Sequence, residues 1–311
     1  MSKITVMGSF VVDLMSKTPH LPKRGETVFG GPFKLGPGGK GSNQGVAAKR
    51  AGADVTMITK LGKDEFSEIA LKSFVAEGID TAFVYQNENF GTGAALIMVE
   101  ENTGENSIVV SVGACNHVTR EEIERAEEKI KDSTVFLTQL ETNIDAVEHG
   151  INLAKKHGVT VVLNPAPVQP FNEELFKKVD IITPNEVEAS ILSGTQVVDI
   201  SSAREAAEYF LNKGVGTVVI TLGGLGAFVK TKDFEKHIPA FKVEQVVDTT
   251  GAGDAFNGGF VTALSENQSL EDAVIFANAV GALSVTKEGT APAMPYRQEI
   301  EDFLKRKRSQ Q

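Results

Sequence analysis

An aspartate just inside a helix, behind a turn of glycines, is the arrangement with the clearest chemical meaning. Residues 248–258 read Asp248-Thr249-Thr250-Gly251-Ala252-Gly253-Asp254-Ala255-Phe256-Asn257-Gly258. They follow a strand-like Val243–Val247 stretch and open a helical run. Gly251 and Gly253 let the backbone come close to a ligand. The first N–H groups of a helix lack internal partners, and the helix dipole adds partial positive charge there. The turn of Gly251, Ala252 and Gly253 therefore suits an anion, such as a phosphoryl group in transfer. Asp254 stands at its mouth, where a carboxylate would repel phosphate. Its sensible task is to take the proton of an attacking hydroxyl. The plainer alternative is a strand-to-helix turn capped by Asp254, but a cap does not need two glycines before it.

A second glycine-rich turn is Gly36-Pro37-Gly38-Gly39-Lys40-Gly41-Ser42-Asn43-Gln44-Gly45, followed by the helical Val46–Ala51. Lys40 can offset phosphate charge. Asn43 can donate to and accept from hydroxyls. The spacing is neither a P-loop nor the dinucleotide Gly-x-Gly-x-x-Gly. A flexible loop is the alternative. A third site is Thr183-Pro184-Asn185-Glu186-Val187-Glu188 at a strand end. Asn185 and Glu188 share a helix face. An acid near a triphosphate suits hydrated Mg²⁺, and a helix cap with a surface acid suits the residues equally. A fourth, Thr221-Leu222-Gly223-Gly224-Leu225-Gly226, is either a nucleotide-holding turn or a tight hairpin. Glu141 follows a strand ending at Leu140, at the strand end where α/β sites collect.

These segments need a scaffold, and the rest of the chain reads as one. Ile4–Met7, Val55–Thr59, Val135–Leu137, Val159–Leu163, Asp180–Thr183 and Thr217–Thr221 are strand-like. Asp64–Glu77, Asn143–His157, Ser201–Lys213, Ala252–Leu264 and Leu270–Val285 are helical. Runs of β-branched residues without alternation imply strands buried on both faces, hence a parallel α/β sandwich. Two stretches break the pattern. Residues 10–35 are punctuated by Pro and Gly. Residues 92–112 read as strands Ala94–Val99 and Ser107–Val112, joined by the turn Glu100-Glu101-Asn102-Thr103-Gly104-Glu105-Asn106. A hairpin inserted in a parallel sheet should stand apart, as a lid, a dimer-forming ribbon or both.

The 311 residues carry 31 Lys+Arg and 41 Asp+Glu, a net charge of −10. That balance argues against non-specific binding to nucleic acid or anionic membranes. The basic Lys305–Arg308 end reads as a solvated helix terminus. With one cysteine, Cys115, no intrachain disulfide forms, which suits a reducing cytoplasm. No stretch reads as a membrane span or a leader.

Residues 38–44 and 248–258 resemble the two signatures of the ribokinase-like (PfkB) carbohydrate kinases. Asn185-Glu186-Val187-Glu188 resembles that family's metal-associated Asn-x-x-Glu. Gly25-Glu26-Thr27, Leu163-Asn164-Pro165-Ala166-Pro167 and Thr221-Leu222-Gly223 resemble its ribokinase/deoxyribokinase branch. The resemblance runs from Ile4 to about Leu304. It implies one catalytic domain over 1–311: a Rossmann-like three-layer sandwich with a mostly parallel central sheet, plus a small β-sheet lid from about 10–35 and 92–112. It implies transfer of the ATP γ-phosphoryl group to the primary 5-hydroxyl of D-ribose or 2-deoxy-D-ribose, in a cytoplasmic homodimer joined through the lids. By position, Asp254 resembles the base, with Gly251, Ala252 and Gly253 as anion hole beside Lys40. Asp13, Gly39, Lys40, Asn43 and Glu141 match sugar-side positions, and Ala95, Ile97 and Val110 apolar lid positions. Asn185, Thr221, Gly223, Gly226, Gly253 and Asn278 match ATP-side positions. Asn185 and Glu188 would organise Mg²⁺ through water. Asp248, Thr250, Ser284, Lys287 and Gly289 match a K⁺ loop, although Ala293 stands where many relatives carry Ser.

One departure bears on substrate. Relatives commonly read Gly-Ser-x-Asn-x-Asp where this chain reads Gly8-Ser9-Phe10-Val11-Val12-Asp13. A sugar hydroxyl facing Val11 would be desolvated without a partner, at about 1–3 kcal/mol. A 2-deoxy sugar loses nothing there. The alternative is that Val11 merely packs and ribose binds through Asp13, Asn43 and Glu141. A fructokinase-like or nucleoside kinase of the same family, and more remotely a silent sugar or nucleotide sensor, complete the options.

Overall fold

The computed structural model describes residues 2–103 and 105–309. Gly104, expected in the hairpin turn, and residues 1, 310 and 311 of the expected domain lie outside them. In chain order the strands are β1 (Lys3–Met7), β2 (Val11–Thr18), β3 (Phe33–Gly38), β4 (Asp54–Gly62), β5 (Asp80–Asn87), β6 (Thr92–Glu100) and β7 (Asn106–Gly113). They continue with β8 (Val135–Gln139), β9 (Thr160–Asn164), β10 (Ile181–Ile182), β11 (Thr217–Thr221), β12 (Ala227–Lys230) and β13 (Glu235–Ile238).

Nine strands form one sheet in the order β13-β12-β11-β10-β9-β8-β1-β4-β5. All neighbours from β11 to β5 run parallel; β12 and β13 pair antiparallel at one edge. Alternate residues feed two separate cores. Val135 and Leu137 enter one and Phe136 the other. Val219 likewise faces opposite to Val218 and Ile220. Helices Lys40–Arg50, Ala252–Ser265 and Leu270–Ser284 cover the first face, and Ile144–Lys156 and Ile200–Asn212 the second. The two layers of helix bury both faces, as the unbroken β-branched runs require.

Chain order reverses between β8 and β1: β8 to β11 run outward one way, and β1, β4 and β5 the other. Such a switch point opens a crevice at the carboxyl ends of the strands. Gly8, Glu141 and Asn164 all lie there.

The second sheet, β3-β2-β6-β7, stands apart. β6 and β7 are the expected hairpin, paired antiparallel, while β2 and β6 pair in parallel. The Pro/Gly-punctuated stretch contributes β2 and β3, and β3 runs on past Leu35 to Gly38. Pro37 is tolerated because β3 is an edge strand.

The Val243–Val247 stretch is not a strand. It lies outside both sheets, with Val246 and Val247 more than half exposed. The Val247 N–H donates instead to the Val285 carbonyl at a helix end, 2.8 Å away. β-branched residues without a neighbouring strand cannot form a ladder.

Candidate active site

Asp254 occupies the first turn of the Ala252–Ser265 helix and is 7% exposed. Gly251 caps that helix at φ 76°, a left-handed conformation that favours glycine. A Cβ built on Gly253 would meet nothing within 4 Å. The space before the helix N-terminus is therefore open, as a cradle for an anion requires. The Asp254 carboxylate accepts from Asn43 Nδ2 and Gln44 Nε2, both at 2.9 Å. Burial pushes its pKa up, against the pull of Lys40 and of these two donors.

Gln44 is held in turn. Its Nε2 also donates to Asn164 Oδ1 at 3.0 Å, and its Oε1 accepts from Gln139 Nε2 at 2.7 Å. Asn164 Nδ2 donates to the Thr183 carbonyl. Side chains at the ends of β8 and β9, with a backbone carbonyl just past β10, thus fix the orientation of Asp254. Asn43 is 4% exposed and its Oδ1 has no protein partner. An orphaned buried acceptor beside Asp254 is costly unless a ligand hydroxyl donates to it.

Lys40 opens the helix Lys40–Arg50. Its backbone N–H donates to Glu141 Oε2 at 2.9 Å, and Ser9 Oγ donates to the same oxygen. Burial of the Lys40 ammonium disfavours its charge, but Asp254, Glu141 and Glu188 outweigh this and raise its pKa. Close approach makes the arrangement possible. A Cβ on Gly41 would fall 2.6–2.7 Å from Gly8 and Ser9 backbone atoms.

Asp13 lies on β2, opposite Ala95 of β6, which faces Val110 of β7. Ile97 and Val11 share that face by alternation. Val11 is 3% exposed and stands opposite Gly38 and Gly93. Burial raises the Asp13 pKa to about 6, helped by Glu141 and Asp254 and opposed by a hydrogen bond from Thr290.

Two cavities meet here, sharing Thr249. One, about 160 Å³, is lined by Lys40, Asn185, Glu188, Thr221, Gly251, Gly253 and Asp254, among others. The other, about 590 Å³, lies between Asp13, Ile97 and the 246–250 and 288–292 segments. Of the expected sugar-side residues, Asp13, Lys40 and Ile97 line these cavities, whereas Val11, Gly39, Asn43, Ala95, Val110 and Glu141 do not.

The remaining expected residues are more mixed. Asn185 and Glu188 form a reciprocal helix cap: Asn185 Nδ2 donates to Glu188 Oε1 at 3.0 Å, and the Glu188 N–H to Asn185 Oδ1 at 2.8 Å. The capping alternative is thus the geometry found, yet both residues line the smaller cavity and burial raises the Glu188 pKa. Thr221 bridges Asn185. The 221–226 turn is the tight hairpin between β11 and β12. Gly226, at φ 99°, packs against Ile238–Ala240, and Asn278 Nδ2 donates to the Ile238 and Pro239 carbonyls. Gly223, Gly226 and Asn278 line neither cavity. In the expected cation loop, both Asp248 oxygens accept backbone N–H groups, from Thr250 and Gly289, each at 2.9 Å. Ser284 is buried, and Lys287 turns away to pair with Glu299 at 2.8 Å.

Among the described residues no cluster of three or more His, Cys, Asp or Glu could hold a metal. A hydrated Mg²⁺ carried by phosphates, touching Glu188 through water, fits this donor set. Cys115 is buried against Phe10 and Thr59 as a packing residue. Gln44, Asn164 and Thr290 are the site residues that sequence reasoning did not assign. Gln44 sat beside Asn43 in a recognised motif; Thr290 carried no local signal.

The pfkB family carbohydrate kinase model matches residues 1–297. The chain belongs to this family. Kinases of the family transfer phosphate from ATP to a sugar. The chain is 46% identical to the ribokinase of Haemophilus influenzae, covering 97% of this chain and 98% of that one. It is 39% identical to a deoxyribokinase of Salmonella typhi, over 97% and 98%. It resembles the structure of Thermotoga maritima ribokinase with TM-score 0.89 and 36% identity, covering 98% and 100%. It resembles Arabidopsis thaliana ribokinase complexed with ribose and ATP with TM-score 0.90 and 28% identity, covering 98% and 99%. Among the described residues no helix of this kinase is long and apolar enough to cross a membrane.

Proposed function

We propose that the chain phosphorylates the 5-hydroxyl of D-ribose or 2-deoxy-D-ribose with ATP, using Asp254 as general base. The observation that carries this is the buried Asp254 carboxylate, held by Asn43 and Gln44 in the cavity it lines with Gly251 and Gly253. Burial raises its pKa, which makes the carboxylate a stronger proton acceptor. The sugar's other hydroxyls meet Asp13, the free Asn43 Oδ1, and Glu141. The backbone of Gly251, Ala252 and Gly253, with Lys40, receives the transferring group. When bound, Mg²⁺ neutralises charge on the phosphates, with Asn185 and Glu188 as the residues beside it. On the same reading Asp248, Thr250, Ser284, Lys287 and Gly289 border K⁺, mostly through carbonyls, and Thr221, Gly223, Gly226 and Asn278 border ATP.

The small sheet serves as the lid over the sugar, a role favoured by its separation from the main sheet. Its face opposite Asp13 is apolar: Phe33, Leu96 and Val109 are all exposed there. Burial of these residues against a second lid supports a homodimer. ATP as donor and the unpaired Cys115 suit a cytoplasmic enzyme.

Val11 favours 2-deoxy-D-ribose as a competitive substrate. It shares the face of Asp13 and offers a sugar hydroxyl no partner. Replacing Asp254 by Asn tests the core reading. Turnover should fall by at least about a hundredfold while sugar and ATP binding persist. Equal loss of binding and turnover would make Asp254 structural.

A further inference from the structure

Three consecutive residues bracket the sugar side of the site. Glu288 pairs with Lys34 of β3 at 2.7 Å and Lys17 of β2 at 3.6 Å. The Gly289 N–H donates to Asp248 Oδ2 at 2.9 Å. Thr290 Oγ1 lies 3.1 Å from Asp13 Oδ2 and 3.1 Å from the Pro37 carbonyl. Thr290 is 8% exposed, so its hydroxyl is fixed rather than solvated. It also packs 3.4 Å from the position a Cβ would take on Gly251. One side chain therefore touches the sugar-facing carboxylate and the root of the small sheet, and its residue lies beside the cap of the catalytic helix.

We propose that Thr290 is a positioning residue that sets sugar affinity by holding the Asp13 carboxylate. The inference rests on the reading of Asp13 as a sugar acceptor. A carboxylate on a strand can turn about its χ2 angle. A hydroxyl bonded to Oδ2 stops that rotation and leaves Oδ1 for a sugar hydroxyl. Gly38 leaves room for the carboxylate on the other side, because any Cβ there would overlap it. The partner is reached across 277 residues.

The test compares Thr290→Val, which keeps the shape and removes the hydroxyl, with Thr290→Ser, which keeps the hydroxyl. For Thr290→Val the sugar KM and the equilibrium sugar Kd should each rise roughly three- to thirtyfold. The ATP KM and kcat at saturating sugar should stay within about twofold, and Thr290→Ser should restore sugar affinity. Thr290→Val should add little in an Asp13→Asn background. An unchanged sugar KM in Thr290→Val overturns the proposal, as does an equal rise for ATP and sugar. If Thr290→Val does not fold, Thr290→Ser decides: a loss of sugar affinity despite the retained hydroxyl also overturns it. An Asp13→Asn variant with wild-type sugar affinity refutes the underlying reading of Asp13. A weak Asp13→Asn beside a wild-type Thr290→Val refutes only the role of Thr290.

Discussion

Val11→Asn should move the enzyme's preference toward ribose. Val11 is 3% exposed and faces Gly38 and Gly93 across the small sheet. One Val11 methyl lies 2.8 Å from the position a Cβ would take on Gly93, so the branch fills the groove above that glycine. Asn is close to Val in volume and fits the same groove. Its amide, buried there without a partner, would cost the free enzyme about 1–3 kcal/mol. A 2-hydroxyl that bonds it recovers that cost; a 2-deoxy sugar does not. The ratio of kcat/KM for ribose over deoxyribose should therefore rise about 5- to 150-fold. Coupled ATP-consumption kinetics with both sugars measure it directly. Ribose should also protect the variant against heat more than deoxyribose does. A ratio within about twofold of the parent's would refute the reasoning and leave Val11 as packing.

Other expectations follow from the charges and the close contacts. Asp13, raised to about 6, should make kcat/KM for sugar fall as pH drops through that value, because a protonated carboxyl accepts hydroxyl protons poorly. Asp13→Asn should weaken sugar binding yet stabilise the fold at pH 8. A carboxylate raised from 3.8 to about 6 on folding carries a penalty above that range, at most about 3 kcal/mol. The gain should vanish as pH falls from about 6 toward 4, which denaturant melts at several pH values would show. Lys40→Met removes the cation that favours ionised Asp254, so the acid limb of kcat should move to higher pH, as a pH–rate profile would record. Gly41→Ala drives a methyl against the Gly8–Ser9 backbone and should lose about 1–3 kcal/mol in chemical denaturation.

The chemistry was legible wherever its residues are consecutive. The 248–258 and 36–45 runs carry the proposed base, the proposed anion cradle, lysine and asparagine within a few positions each. Each helix opens within its glycine-rich run, at Lys40 and at Ala252. The alternating burial of Val135, Phe136 and Leu137 was legible as an unbroken apolar run. What escaped is long-range. The Gln139–Gln44–Asn164 network spans 95 and 120 residues, and Thr290 reaches Asp13 across 277. Gln44 and Asn164 lie in recognised segments, but nothing local marks which residues they pair with, and Thr290 carries no local signal at all. Val243–Val247 misled because β propensity needs a neighbouring strand, and none lies beside it. The 221–226 glycines signalled a turn correctly, but a turn's identity as hairpin or ligand loop depends on what packs against it. Here Ile238–Ala240 does.

The central claim is that this site phosphorylates a pentose. The most direct measurement is ATP consumption with Mg²⁺ and K⁺ across D-ribose, 2-deoxy-D-ribose, D-fructose and adenosine, with the products identified. The account predicts efficient turnover of one or both pentoses to the 5-phosphate, with deoxyribose at least competitive. Turnover confined to fructose or adenosine, or none with any acceptor, would contradict it.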